Sequence, residues 1–560
     1  MKRTVELSIQ GMTCAHCVTS VRRALEKLPG VEEVRVTLEP PRATVTYDDT
    51  QVSVDALLQA VEKAGYHALL VSDETKTVSP EARKVASVVH DYTDKGQHLI
   101  IVGGGSAAFA AAIRADELGA RVTMINGGLP IGGTCVNVGC VPSKALIRAA
   151  EAHWHAAHHP FRGIRSWSEV EHFAAMVQQK NELLDTLRKK KYIDVLKGLE
   201  HVRYVEGYAR IVDPETVEVN GERISGDRIL VATGSSAFIP PIAGIEDVPY
   251  LTNEQVFNLE ELPPSLLILG ANYIGLETAQ LFARLGSRVT VLELASQILP
   301  GEMADVATAV QGYLEAEGIQ FRTGFNAQGV EQTSGGLRLW GHGPQGEETF
   351  EATYLVVATG RKGNTRGLGL EDVGVRVDAR GFMQVDETLK SDVPTIYGAG
   401  DVIGGPLFVY KAAYDGKLAT ENALTGARQA RDYSAMPYVM FTEPQVAGVG
   451  LDERQAEEQG LTYEVTSIPL DEIPRAQVGH EHRGFIKLLR DPVSDRLLGA
   501  RVVAPEGGEI IMEAVMAIRF GITTEQMVDL FHPYLTLAEG MKLTALTFRK
   551  ELSMLSCCAV

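Results

Sequence analysis

Apolar and polar residues alternate in short runs over the first 71 residues, and this pattern predicts four strands and two helices. In the first strand Val5, Leu7 and Ile9 alternate with polar residues, as in a strand with one buried face. The predicted strands cover residues 4–9, 34–38, 43–47 and 68–71, and the helices cover residues 18–28 and 53–64. A βαββαβ order is typical of a ferredoxin-like fold. We therefore predict a small domain at residues 1–71.

The pattern changes after this domain. Residues 72–96 are polar and lack strand periodicity, which predicts a tether with a short helix near residues 81–90. Apolar runs at residues 98–102 and 266–269 each lead into a glycine-containing turn and then a helix. This order is typical of a Rossmann-like dinucleotide-binding unit. Residues 484–504 are again rich in strands, so the chain belongs to the α/β class with an additional α+β domain.

Composition limits the partners that the protein can have. The chain has 560 residues, enough for several domains, and a formal net charge of −19. Such a charge argues against nucleic acid or an anionic membrane surface as a partner. No apolar run is long enough to span a bilayer, and the first residues do not resemble a signal peptide. We expect no membrane insertion and a cytoplasmic location.

All six cysteines occur in pairs. The pairs are Cys14 with Cys17, Cys135 with Cys140, and Cys557 with Cys558. In a reducing compartment, paired thiols indicate metal binding or redox chemistry. Cys14 and Cys17 lie on the loop before the first predicted helix, where two thiolates suit a soft metal ion. A thioredoxin-like CxxC is the alternative for this first pair.

The segment from Gly132 to Lys144, GGTCVNVGCVPSK, sets two thiols five positions apart, and Gly139 permits the bend that would bring them together. The segment closely resembles the active-site segment of the pyridine nucleotide disulfide oxidoreductases. The resemblance implies a redox-active disulfide between Cys135 and Cys140 beside an FAD. It also implies that Cys140 contacts the flavin and that Cys135 exchanges with substrate. Two unrelated buried thiols are the alternative.

The same resemblance predicts where FAD binds. The apolar strand at residues 98–102 ends in the first glycine motif, and later segments match the family's other flavin signatures. Asn126 stands where the family has an acidic ribose-binding residue, and its amide can still bond a hydroxyl. The expected FAD residues are Gly103, Gly105, Ala108, Asn126, Gly133, Thr134, Lys144, Ala209, Thr233, Gly234 and Asp401.

A nicotinamide site is implied by the second glycine motif, with Gly270, Gly275 and Gly360. The resemblance assigns Tyr273 as the tyrosine that gates this site and pairs Lys144 with Glu277 beside the flavin. Relatives that reduce metal ions generally use NADPH. Glu293, however, ends the second strand of the unit, where a carboxylate favours a ribose hydroxyl over a phosphate, so NADH is suggested as well.

Three features narrow the substrate. The string GMTCAHC at residues 11–17 resembles heavy-metal-associated domains. The terminal Cys557-Cys558 resembles the tail of family members that reduce metal ions, in which the tail reaches the active site of the other subunit. Accidental surface thiols are the alternative for the tail. Tyr534 occupies the position of the histidine in the His-Glu pair of enzymes that reduce organic disulfides. His532 lies two positions upstream, too far from Glu539 to rebuild that pair.

These features lead to one function and two alternatives. We expect reduction of Hg(II), free or thiol-bound, to Hg(0), with Cys14, Cys17, Cys135, Cys140, Cys557 and Cys558 as the mercury ligands. A dihydrolipoamide dehydrogenase-like or other disulfide reductase with a metal domain is one alternative. A metal-binding chaperone is the other. A mercury transporter or chaperone is a conceivable partner.

The expected domains follow from the motifs. They are a heavy-metal-associated domain at residues 1–71, a linker at 72–96, an FAD domain at 97–250 and 386–433, a nicotinamide domain at 251–385, and an interface domain at 434–560. The last domain implies a homodimer.

Overall fold

The computed structural model describes residues 2–10, 12, 15–38, 41–49, 51–73 and 96–554. Cys14, Cys557, Cys558 and residues 74–95 of the predicted tether, with its short helix, lie outside the described residues.

The N-terminal domain is a four-stranded antiparallel sheet with two helices. In chain order its elements are β1 (Lys2–Gln10), α1 (Ala15–Glu26), β2 (Val31–Leu38), β3 (Pro41–Asp48), α2 (Val54–Lys63) and β4 (His67–Asp73). The strands lie in the order β2-β3-β1-β4. Val5, Leu7 and Ile9 are all buried in its core, as their alternation predicted. The predicted ferredoxin-like order is confirmed.

The second domain is built on a parallel sheet. Its elements are β5 (His98–Val102), α3 (Ser106–Glu117), β6 (Arg121–Asn126), α4 (Gly133–Asn137), α5 (Cys140–His158), α6 (Phe173–Arg188), α7 (Asp194–Lys197), β7 (Val202–Glu206), β8 (Ala209–Asp213), β9 (Thr216–Val219), β10 (Glu222–Ser225), β11 (Arg228–Val231) and β12 (Ser235–Ala237). Four consecutive residues of β5, from Leu99 to Val102, are buried, because helices and loops cover both faces of such a sheet.

A second parallel sheet follows in the chain. Its region contains α8 (Asn253–Val256), β13 (Ser265–Leu269), α9 (Tyr273–Arg284), β14 (Arg288–Leu292), α10 (Ala304–Ala316), β15 (Gln320–Arg322), β16 (Asn326–Thr333), β17 (Gly336–Gly343), β18 (Gly346–Ala352), β19 (Tyr354–Val357) and β20 (Arg361–Gly363). The parallel strands lie in the order β15-β14-β13-β19. The next strand, β21 (Ile396–Gly398), returns to the first sheet, which has the order β21-β11-β5-β6-β7. The second unit is therefore inserted into the first, as its motifs predicted.

The last domain packs helices against a five-stranded sheet. Its elements, after α11 (Val409–Thr425), are β22 (Tyr438–Met440), β23 (Gln445–Gly450), α12 (Glu453–Glu458), β24 (Glu464–Pro469), α13 (Pro474–Gly479), β25 (Phe485–Arg490), β26 (Leu497–Ala504), α14 (Gly507–Phe520), α15 (Thr524–Asp529) and α16 (Glu539–Leu546). The antiparallel strands lie in the order β22-β23-β26-β25-β24.

The α14 helix has an exposed apolar face. Met512, Met516 and Phe520 are exposed on it, and so is Phe531 in the loop after α15. An apolar patch of this kind marks a protein interface. In the described part of the chain, no helix is long and apolar enough to cross a membrane.

Candidate active site

The two central thiols lie where one short helix ends and a long one begins. Cys135 is half-buried within α4, and Cys140 is the exposed first residue of α5. Gly139, the N-cap of α5, has φ −123° and ψ −109°, and a Cβ there would come within 3.0 Å of the Thr134 carbonyl oxygen. The glycine therefore lets the chain turn tightly between the two cysteines.

Side chains hold this redox segment in place. The amide of Asn137 donates to the carbonyl oxygens of Pro130 and Gly133 at 2.9 and 2.8 Å. Its own oxygen accepts from Arg188 Nε at 2.9 Å. The Asn253 amide of α8 donates to the carbonyl oxygen of Val138 at 2.8 Å. These bonds join the redox segment to the chain before it, to Arg188 and to α8, so the segment is preorganised.

The two thiols differ in acidity. The hydrogen bond from Cys135 lowers the pKa of the Cys140 thiol to about 7, and the charge of Lys144 acts in the same direction. The same hydrogen bond, together with burial, raises the pKa of Cys135. A helix N-terminus also favours a thiolate at Cys140. Cys140 is therefore the more acidic of the two thiols, and Cys135 is the thiol that donates to it.

An ion pair joins the domains beside the thiols. Lys144 Nζ lies 2.6 Å from Glu277 Oε2, so α5 of the first unit is linked to α9 of the second. The other Glu277 oxygen accepts from the Phe441 amide at 2.9 Å, and the Lys144 ammonium lies 4.7 Å from the Phe441 ring centroid. Because the Glu277 side chain is 7% exposed, the pair is held in one geometry.

The first glycine motif forms a cradle that larger residues would fill. A Cβ on Gly103 would lie 2.2 Å from the Ala232 carbonyl oxygen, and one on Gly133 would lie 2.7 Å from Gly105 Cα. Gly105 is the N-cap of α3 and has no side chain to occupy the first amides of that helix. Ala108 follows, fully buried. Open helix amides beside closely packed backbone suit a dinucleotide pyrophosphate, so these residues fit FAD.

Strand β6 ends at Asn126, at the position where the family has an acidic ribose-binding residue. The Asn126 amide nitrogen donates to the Leu129 carbonyl oxygen at 3.1 Å and to the Tyr204 hydroxyl at 3.2 Å. The Asn126 oxygen would lie 2.5 Å from a Cβ on Gly104, so it faces the glycine motif. That oxygen can accept a bond from a ribose hydroxyl. Ala209 is the buried first residue of β8.

The other predicted flavin residues are held by hydrogen bonds between distant segments. Thr233 Oγ1 donates to the backbone carbonyl oxygen of Asn364 at 2.7 Å. The backbone N–H of Asn364 donates to the carbonyl oxygen of Gly234 at 3.0 Å. Ser235 Oγ donates to Asp401 Oδ2 at 2.8 Å. The second Asp401 oxygen can therefore accept a further hydroxyl.

The second glycine motif is as tight as the first. A Cβ on Gly270 would lie 2.5 Å from the Ala358 carbonyl oxygen, and one on Gly275 would lie 1.9 Å from the Gly270 carbonyl oxygen. The backbone of this turn therefore excludes alanine at Gly275 unless it shifts. Gly360 has φ +125°, a conformation that favours glycine.

Glu293, after β14, is fixed by two backbone bonds. Its oxygens accept from the Ala271 amide at 2.7 Å and the Ala295 amide at 2.8 Å. A carboxylate offers about four lone-pair positions, so capacity remains for a ligand hydroxyl.

Tyr273 lies in an aromatic stack at the start of α9. Its ring centroid is 6.3 Å from that of Phe408 and 5.9 Å from that of Tyr438. Burial raises the pKa of Tyr273. The three rings come from three domains, so Tyr273 lies where these domains meet.

Tyr534 lies in the loop between α15 and α16, and its side chain is 51% exposed. Glu539 Oε2, four positions from Leu535, accepts the Leu535 amide at 3.3 Å. His532 does have a carboxylate partner, but it is Glu513 on α14, with Nε2 at 3.0 and 3.1 Å from the two oxygens. From the sequence, Glu539 is the only carboxylate weighed as a partner of His532. Glu513 is 19 residues away in the chain and meets His532 only in the fold.

Two aromatic residues that the sequence did not single out lie near the thiols. The pKa of Tyr192 is raised by burial and by the charges of Cys135 and Cys140. The pKa of Tyr410 is raised by burial and by Cys140. Tyr192 belongs to a π-helical turn, Lys189–Ile193, a feature often found at functional sites. The local sequence KKKYI carries no signal for it.

Cys17 is buried in the core of the N-terminal domain. Gln255 of α8 donates a long hydrogen bond to its sulfur at 3.9 Å, which places this thiol against the helix that also bonds Val138. Its predicted partner Cys14 and the terminal pair Cys557 and Cys558 lie outside the described residues. Within the described residues, no cluster of three or more His, Cys, Asp or Glu side chains could hold a metal ion.

Comparison with known proteins agrees with this geometry. Residues 97–416 match the model of the pyridine nucleotide-disulphide oxidoreductases, and residues 436–545 match the dimerisation domain of that family. Residues 6–67 match the heavy-metal-associated domain. The exposed apolar face of α14 lies within the residues that match the dimerisation domain, and the protein is a homodimer.

Relatives match over the full length. The chain is 38% identical to a mercuric reductase of Staphylococcus aureus, with 100% of both chains covered. It is 41% identical to a mercuric reductase of Acidithiobacillus ferrooxidans, covering 99% of this chain and 98% of the relative.

Among solved structures, the flavoprotein disulfide reductase RclA of Escherichia coli has a TM-score of 0.72 and 30% identity, covering 81% of this chain and 100% of that chain. The chain belongs to the pyridine nucleotide-disulphide oxidoreductase family, and it carries a heavy-metal-associated domain ahead of the oxidoreductase core.

Proposed function

We propose that the protein reduces Hg(II) to Hg(0) with electrons from NAD(P)H. The observation that carries the proposal is the pair Cys135 and Cys140 in a family whose proton-shuttling histidine is replaced by Tyr534. A phenol has a pKa near 10 and is a poor general base at neutral pH, which disfavours the reduction of organic disulfides. The full-length mercuric reductase relatives support the same substrate.

The thiols bind the metal and the neighbouring groups control them. When bound, FAD would accept a hydride equivalent from NAD(P)H and supply two electrons to the disulfide or to the metal. Lys144 stabilises the Cys140 thiolate through its charge. Cys135 and Cys140 then hold Hg(II) as a bis-thiolate, and two electrons release Hg(0) and return both sulfurs as thiolates.

Mercury reaches these thiols by exchange between sulfur pairs. Hg(II) binds two sulfurs, so an incoming pair must attack before the outgoing pair leaves. We place Cys14 with Cys17 first, Cys557 with Cys558 second, and Cys135 with Cys140 last. In the homodimer the tail and Tyr534 of one subunit serve the redox thiols of the other, where the Tyr534 hydroxyl can donate a hydrogen bond to a departing thiolate.

A test of this relay removes the tail thiols. Cys557→Ala with Cys558→Ala should slow turnover most when Hg(II) is offered as a bulky or tightly held thiol complex, because exchange then needs an entering pair. If the double variant were as active as wild type on every mercury complex, the tail thiols would have no part in the relay.

We place the enzyme in the cytoplasm, because the electron donor NAD(P)H and the low-molecular-weight thiols that bind Hg(II) are abundant there. A mercury transporter or chaperone would hand the ion to the N-terminal domain.

A direct experiment separates mercury reduction from disulfide reduction. Oxidation of NAD(P)H is followed with thiol-buffered Hg(II) and, separately, with lipoamide. The proposal predicts turnover with Hg(II) and little with lipoamide. Efficient lipoamide turnover without a response to Hg(II) would favour the dihydrolipoamide dehydrogenase-like alternative.

A further inference from the structure

In the loop that carries Tyr534, residues 530–538, Leu537 packs against the core of the domain, while the other large apolar residues are exposed in the single chain. Phe531 is fully exposed in the single chain, and an open cavity of about 350 Å³ separates Leu535 and Thr536 from the first turn of α14. Leu535, directly after Tyr534, has φ +60°. A left-handed leucine is strained and persists only when the surrounding structure imposes it. Between Leu530 and Leu537 polar contacts therefore contribute to the position of the loop.

One such contact lies two residues before Tyr534. His532 Nε2 binds both oxygens of Glu513 at 3.0 and 3.1 Å, and Nδ1 lies 3.2 Å from the Leu530 carbonyl oxygen. The His532 side chain is only 7% exposed. Both ring nitrogens are therefore engaged inside this domain, and the ring is unsuited to take a proton from a thiol. The His532 ring links the loop to α14 through Glu513.

The second contact lies after Tyr534. Glu539 Oε2 accepts the Leu535 amide at 3.3 Å. Thr536 Oγ1 donates to the Pro533 carbonyl oxygen at 2.8 Å and accepts the Glu539 amide at 3.2 Å. The glutamate that would serve a catalytic histidine in disulfide-reducing relatives thus braces the strained residue here.

We propose that His532 and Glu513 are positioning residues for Tyr534, acting together with the Glu539 brace. This inference rests on the proposed role of Tyr534 in mercury exchange. The hydrogen bonds between His532 and Glu513 fix the loop on one side of the tyrosine, and Glu539 fixes it on the other. Tyr534 is thereby presented to the second subunit in a single geometry.

The first experiment measures position without using activity. 3-Fluorotyrosine is placed at position 534 of the full-length, FAD-loaded dimer, and its fluorine resonance is recorded in wild type, His532→Ala and Glu513→Ala. We expect a shifted or broadened resonance in both variants. Glu509→Ala is the matched control, because Glu509 lies one turn before Glu513 on α14, and its resonance should match that of wild type. An unchanged resonance in both variants would overturn the proposal.

The second experiment asks whether position matters for turnover. His532→Ala should lower Hg(II)-dependent turnover by about 5-fold in wild type and by much less in a Tyr534→Phe background, since residues that act together are not additive. Flavin content and the rate of flavin reduction by NAD(P)H should not change. An equal fractional loss in both backgrounds would show a general structural effect and contradict the proposal.

The two experiments fail separately. If Tyr534→Phe turns over Hg(II) as fast as wild type, the proposed role of Tyr534 is wrong. The fluorine resonance then still decides whether His532 and Glu513 position the loop.

Discussion

At the scale of single residues, the chemistry depends on groups that alter one another's charge. Cys140 becomes acidic because Cys135 donates to it and Lys144 lies nearby, while Glu277 acts against this effect. The spacing of the cysteines and the family motif predicted the thiols and the ion pair. The sequence could not predict the acidity, because it arises mainly from the hydrogen bond that Cys135 of α4 donates to Cys140 of α5 in the fold.

The acidity of Cys140 predicts a pH dependence. In the two-electron-reduced enzyme, the long-wavelength absorbance of a thiolate beside the flavin should rise with pH, with a midpoint at about 7. Lys144→Met removes a charge that lowers this pKa, so its midpoint should move to higher pH. Lys417→Met, an exposed lysine on α11, should leave it in place. An unmoved midpoint in Lys144→Met would show that Lys144 does not stabilise the thiolate.

Cofactor preference is also decided by single residues. Glu293 is held at the end of β14 by two amides and would repel a 2′-phosphate. We expect NADH to be used at least comparably to NADPH and Glu293→Arg to favour NADPH, as judged by kcat/KM for both. Glu347→Arg makes the same charge change on an exposed hairpin of that region and should have no effect. A wild-type preference for NADPH of about 100-fold or more, roughly 2.7 kcal/mol, would contradict the prediction.

At the scale of elements, the strands could be predicted from the sequence, whereas the π-helical turn and one side-chain pair between distant segments could not. The predicted strand at residues 43–47 lies within β3 (Pro41–Asp48), and the apolar run at 98–102 is β5 itself. These elements follow from local periodicity. The π-helical turn that carries Tyr192 and the pairing of His532 with Glu513 depend on distant parts of the chain, so local patterns do not reveal them.

The redox segment should be sensitive to one buried amide. Asn137→Ala removes bonds to Pro130 and Gly133 and leaves Arg188 without this acceptor, a loss of about 1–3 kcal/mol. The temperature at which flavin fluorescence appears on heating should fall. Asn326→Ala, at an exposed position of β16, should leave it unchanged. Equal temperatures for both variants would mean that Asn137 does not organise the segment.

At the scale of the whole molecule, we assign delivery of mercury to the N-terminal domain and its reduction to the oxidoreductase core. The N-terminal domain has its own core, and residues 97–416 and 436–545 match the oxidoreductase models without it. Removal of residues 1–96 should therefore leave a folded, FAD-loaded, active dimer when low-molecular-weight thiols are in excess. Flavin content, sedimentation and turnover test this. Loss of flavin or of the dimer would show that the boundary is misplaced.

The central claim is that Cys135 and Cys140 pass two electrons from NAD(P)H to Hg(II). The most direct measurement records NAD(P)H oxidation and release of volatile mercury together, in wild type, Cys135→Ala and Cys140→Ala. The account predicts one Hg(0) for each NAD(P)H in wild type, and no mercury release in either variant although FAD stays bound. Wild-type release of Hg(0) by either variant, or oxidation of NAD(P)H without release of Hg(0) in wild type, would contradict it.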